Sequence, residues 1–136
     1  MQLDPSAFVA DPELVAALAK RATPVDCDVD RVLFQQGEMP AGIYILRKGR
    51  VTLSMNSTAG EVILSLQISA GSLMGLPGLL GDRPYTLTAV ARAGAQVSFI
   101  PRAEFTGFMQ SDPMVAFKVL QVLAAEVSAA RRAISV

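Results

Sequence analysis

The sequence predicts a mainly-β domain, a sandwich or jelly-roll barrel, with a short helix ahead of it and a helix pair behind it. Three observations carry this. Short apolar runs recur at near-regular spacing between Gly and Pro, two of them flank a polar, glycine-ended loop, and Asp-Pro pairs open two segments of helical period. A chain of 136 residues fits one domain, because two would each be too small to bury a proper core. With 51% apolar and only 18% charged residues it is too apolar to stay disordered.

The elements follow in order. Asp11-Pro12-Glu13 has the form of a helix start: Asp caps free amides, Pro fits the first turn and Glu complements the dipole. Leu14, Val15 and Leu18 follow at helical spacing and predict a helix over residues 12–20. A β-roll is expected over residues 23–101, with strands at 31–34, 42–47, 86–91 and 96–100. Val51, Leu53 and Met55 alternate with Thr52, Ser54 and Asn56, and a second alternating run starts at Val62. Between them, Asn56-Ser57-Thr58-Ala59-Gly60 reads as a hairpin loop. Its Asn-Ser-Thr matches a glycosylation sequon and is read simply as a turn. Residues 62–81 carry no charge and are long enough to cross a bilayer, but Gln67, three serines, Pro77 and four glycines favour a strand and a turn-rich stretch.

Two helices are expected at residues 101–109 and 112–134. In the second, Ala116, Leu120, Leu123, Val127, Ala130 and Ile134 recur at alternating steps of four and three, compatible with a coiled-coil-like seam. Val115, Val119 and Val122 form another apolar edge. Two edges need two surfaces: the roll on one side and a partner chain on the other, making a homodimer. A helix laid across its own roll is the alternative. Arg131 and Arg132 complement the helix dipole and call for no nucleic acid.

Composition removes many functions. Twelve Lys and Arg balance twelve Asp and Glu, so no broad basic footprint attracts nucleic acid. There is no His, which excludes Ser-His-Asp hydrolysis and His-ligated metal or haem. The single Cys27 forbids an internal disulfide and supplies no Cys-rich metal site. No catalytic residue, metal or cofactor is expected. No secretory pattern opens the chain, and a soluble cytoplasmic protein without membrane contact is expected.

Val32-Leu33-Phe34-Gln35-Gln36-Gly37-Glu38, then Gly42-Ile43-Tyr44-Ile45-Leu46-Arg47-Lys48-Gly49-Arg50-Val51, resembles the opening signature of cyclic-nucleotide-binding domains. The glycines turn corners and the apolar run is a strand buried on both faces. The likeness covers residues 12–134 and is nearest the sensor half of the cyclic-AMP receptor protein and FNR-like regulators. It implies a double-stranded β-helix (jelly-roll) barrel spanning a single domain over residues 1–136.

The resemblance also implies a phosphate-binding cassette, in which a Glu accepts the ribose hydroxyl and an Arg pairs with the cyclic phosphate. Here the matching segment is Met74-Gly75-Leu76-Pro77-Gly78-Leu79, followed after a spacer by Tyr85-Thr86-Leu87. Frame residues survive, but the Glu position holds Leu76, the Arg position Tyr85 and the next Ala position Leu87. Pro77 lacks an N–H where donors matter. Losing both ionic contacts costs on the order of 3–6 kcal/mol, about two to four decades of affinity.

Arg83 is a candidate anion contact, with a solvated turn residue as its alternative. Arg50 and Arg92 are weaker candidates, and Thr86 keeps a hydroxyl for an anion or polar ligand. Leu76 and Tyr85 imply a less polar pocket, either filled or open to an apolar effector. FNR-like iron–sulfur sensing needs more cysteines than Cys27. In the receptor family a helix-turn-helix domain follows the terminal helix, whereas this sequence ends at Val136. A fragment and a stand-alone cassette both remain open, and no direct nucleic-acid binding by this chain is expected. The expected function is a regulatory sensor domain with weak or absent binding of cyclic AMP and cyclic GMP. A ligand-free dimerisation scaffold, or a weak binder of another small effector, is the alternative.

Overall fold

The computed structural model describes residues 2–134. A 3-10 turn at Pro5–Phe8 precedes α1 (Pro12–Ala19), whose Asp11 cap accepts from the Glu13 N–H at 2.8 Å. Eight strands follow: β1 (Thr23–Val25), β2 (Arg31–Phe34), β3 (Gly42–Lys48), β4 (Val51–Asn56), β5 (Val62–Ile68), β6 (Leu73–Met74), β7 (Thr88–Ala91) and β8 (Gln96–Pro101). Between β6 and β7 lies the short α2 (Leu76–Gly81), and α3 (Arg102–Ser111) and α4 (Pro113–Ile134) close the described chain.

The strands form two antiparallel four-stranded sheets, in the orders β1-β8-β3-β6 and β2-β7-β4-β5. This is the expected jelly-roll with flanking helices. The β4–β5 hairpin pairs Leu53 with Leu66, and its loop closes through the Ser57 N–H donating to the Glu61 carbonyl at 2.8 Å. Gly49 makes the β3–β4 corner at φ +88°, where a Cβ would come within 2.8 Å of the Ala95 Cα. Only glycine fits such a corner without strain.

Alternation along β3 explains the two cores. Ile43 and Ile45 join Leu14, Leu18, Phe105 and Val119 beneath the helices. Leu46, with Val51, Leu53, Ala89 and Val97, fills the space between the sheets, and Tyr44 packs against it. A strand with apolar neighbours on both faces reads as a continuous apolar run, as Ile43–Leu46 does.

The boundaries differ in small ways with physical causes. The strand expected from residue 86 starts at Thr88, because the chain before it is held by the β2–β3 corner. The Gly37 N–H donates to the Tyr85 carbonyl at 2.8 Å, and the Tyr85 N–H donates to the Glu38 carbonyl at 2.9 Å. α3 runs to Ser111, two residues past the expected end, before Asp112 breaks it and caps α4 through the Met114 N–H at 3.0 Å. β1, β6 and α2 had no separate place in the strand reading; three-, two- and six-residue elements carry too little periodicity to register.

On α4, Val115, Val119 and Val122 are buried against the second core. Lys118 ties the helix to α1 through Glu13 at 3.1 Å and Asp11 at 3.4 Å. The other stripe points outward: Leu120 is 57%, Val127 49% and Ile134 67% exposed, Ala130 is exposed, and Ala116 and Leu123 are half-buried. Met114 and Phe117, absent from the sequence stripe, are exposed as well. By length and apolar composition alone α4 is long enough to cross a membrane, but here one edge is built into the core of the domain.

Candidate functional site: the cassette corner and the cavity under α4

Gly75 opens the corner at φ +93°, and a Cβ there would meet the Tyr85 ring at 3.0 Å. The left-handed turn and the ring require the smallest residue together. α2 then places its apolar face inward. Leu76 and Leu79, expected among the residues lining a ligand pocket, are three positions apart on one side of the helix and are buried in the core beneath the helices. That core, formed by Leu14, Leu18 and Phe105, draws them away from the pocket. Gly75, Pro77 and Gly78 face the pocket instead, together with Tyr85, Thr86 and Leu87.

Tyr85 is 6% exposed and stacks on Phe34 with ring centroids 4.0 Å apart. Its hydroxyl donates to the Gly42 carbonyl at 3.1 Å. Burial pushes the phenol up to about 12, so it stays neutral. Tyr44 extends the aromatic group against Phe34 and Phe99 and donates to the Leu33 carbonyl at 3.0 Å. The free space left beside these rings is about 40 Å³. Small-molecule pockets occupy about 300–1,000 Å³.

The candidate cations lie elsewhere. Arg83 is exposed and lines neither this gap nor the cavity next to it. Arg50 is exposed, and Arg92 is bound to Asp30 at 3.1 Å and to the Thr52 hydroxyl at 3.0 Å. Arg102, unmarked in the sequence, donates to the Leu79 carbonyl at 3.3 Å and the Pro40 carbonyl at 3.2 Å, pinning the end of α2. Thr86 remains on the pocket wall. Cys27 is buried near charged neighbours, and burial raises its thiol. Among the described residues no group of His, Cys, Asp and Glu is arranged to hold a metal.

Sequence reasoning missed Glu126. The inward edge of α4 steps from Val115 through Val119 and Val122 to Glu126 and Ala129, so the same four-and-three spacing places an acid where an apolar residue is due. That interruption was the available signal. Glu126 lines the gap beside Tyr85 and an adjoining cavity of about 330 Å³ between α4 and the roll. Among the described residues its Oε2 is buried without a hydrogen-bond partner. Burial alone pushes the carboxyl up to about 8.

A two-sheet roll with a glycine-opened helical corner, closed by a long helix over a cavity, is the architecture of a β-roll domain with flanking helices. The sequence model of the family described as "Cyclic nucleotide-binding domain" matches residues 26–112, more than half of the chain, and the chain belongs to that family. It is similar to the CRP-like cAMP-activated global transcriptional regulator of Mycobacterium tuberculosis (strain CDC 1551 / Oshkosh). The two are 24% identical over 114 residues, 84% of this chain and 51% of the relative. The chain thus spans about half the length of that relative. Among solved structures, Thermus thermophilus Catabolite Activator Protein superposes with a TM-score of 0.79 at 21% identity, over 96% of this chain and 62% of that one. The N-terminal domain of a transcriptional regulator from Streptomyces coelicolor A3(2) gives 0.68 at 22% identity, over 97% and 92%. These structural likenesses show a shared fold.

Proposed function

We propose that the chain is the regulatory sensor domain of a cytoplasmic signalling protein, with a cassette that has lost tight binding of cyclic AMP and cyclic GMP. The observation that carries this is Tyr85. A neutral ring, stacked and hydrogen-bonded, stands where a guanidinium would pair with the phosphate, and it leaves about 40 Å³ of space. Neither Leu76 nor any Lys or Arg lines the gap. Its role is binding and relay, not catalysis, and it has no direct grip on nucleic acid.

The relay runs through α4. Its inner edge packs on the core while its outer stripe, Leu120, Val127 and Ile134, is left for a second copy of the chain. A ligand or partner that alters the seat of α4 on the roll therefore alters the dimer. The filled cassette equally supports a ligand-free scaffold. Calorimetric titration tests the site: cyclic AMP and cyclic GMP are expected to bind no tighter than about millimolar. Low-micromolar affinity for either overturns the reading. A thermal-melt panel of nucleotides and small effectors separates sensor from scaffold, since a ligand of the folded state raises the melting temperature by mass action.

A further inference from the structure

The cavity beneath α4 is built mostly from apolar side chains, with Glu126 and Thr86 as its polar members. Leu3, Met55, Leu64, Leu87, Val127 and Ala130 are among its walls, and among the described residues no Lys or Arg lines either it or the gap beside Tyr85. At about 330 Å³ it falls in the range of small-ligand sites. Glu126 faces it with an oxygen that has no partner among the described residues. A buried carboxyl oxygen without a partner is unfavourable, and a leucine there would complete the apolar edge. What the Glu126 Oε2 lacks is a hydrogen-bond donor, and a cationic group on an apolar body would supply one while filling the apolar space. A phosphate ester suits it badly, because no Lys or Arg among the described lining residues would meet its charge.

We propose that this cavity binds a small apolar amine, its ammonium held by the Glu126 carboxylate and its hydrocarbon part by Leu3, Met55, Leu64 and Leu87. This rests on the sensor reading and names the effector class for it. Val127 and Ala130 belong both to the cavity wall and to the outward stripe, so an occupant presses on the residues that face a second copy. Before an amine binds, the carboxyl holds its proton near neutral pH, since burial pushes it up to about 8. When the ammonium enters, Glu126 ionises, the amine keeps its charge and one proton passes to the solvent.

Calorimetry of the whole chain near neutral pH with phenethylamine, phenethyl alcohol and phenylacetate tests this. The three share a ring and differ in the head group. The amine is expected to bind at least about tenfold tighter than the alcohol, and phenylacetate not detectably. Repeating the amine titration in buffers of different ionisation enthalpy should show close to one proton released, a measurement on wild-type protein that needs no variant. In E126Q the amine and alcohol should bind within about threefold of each other, with no proton released. Equal affinities in the wild type, no binding of any of the three, or an amine preference that survives E126Q overturns the proposal. Tight cyclic AMP binding in the same instrument sinks the reading of the cassette instead, so the two failures are distinguishable.

Discussion

Glu126→Gln tests how the cavity is linked to stability. The carboxyl sits near 8 in the folded chain against an ordinary value of 4.5, and burial is the cause. Between those two pH values the folded chain holds a proton that the unfolded chain has released. Stability is therefore complete below the lower value and falls as pH rises toward the upper one. Each pH unit of displacement is worth about 1.4 kcal/mol, which bounds the total loss at roughly 4–5 kcal/mol. For a domain of this size, half of that bound is a fall in melting temperature on the order of 10 °C. Asp4, Asp11 and Asp30, held below their ordinary 3.8 by Ser6 and by the Glu13 and Ala93 N–H groups, titrate at lower pH and act in the opposite sense. Thermal melts from about pH 5 to about pH 9 should show the wild type losing stability steadily, and E126Q nearly flat and the more stable above about pH 7. A wild-type curve that is flat or rises over that interval, or that E126Q merely reproduces, refutes the reasoning.

Removing the ring that fills the cassette should be expensive: Tyr85→Ala is expected to lose about 3–5 kcal/mol in denaturant unfolding, because it empties a stacked, buried site and orphans the Gly42 carbonyl. A loss under about 1 kcal/mol would show that Tyr85 does not plug the corner. Leu120→Glu places a charge on the outward stripe of α4 without touching the core, so light scattering should give a dimer for the wild type and a monomer for the variant, with melting little changed. A monomeric wild type at high micromolar concentration would end the proposed dimer.

Much of the fold was legible because its signals are local. The Asp11 and Asp112 caps, the alternation from Val51 to Met55 and the polar loop before Val62 each act within a few residues, and the structure uses each where the sequence predicts it. The run Ile43–Leu46 announced a strand covered on both sides, and the two cores that cover it are there. The cassette was only partly legible. Its backbone corners follow from glycine, but side-chain direction does not, which is why Leu76 and Leu79 lie in the core under the helices and not on the pocket wall.

Sequence by itself determined the period of the longer elements and the corners that must be glycine, since both depend on residue type and short-range sterics. Tertiary structure decided which way α2 turns its leucines, that Tyr85 stacks on Phe34 and narrows the gap, and that Glu126 lines a cavity. Those outcomes depend on residues far apart in the chain arriving at one place, and burial, which no single position encodes, then sets whether a carboxyl there keeps its proton.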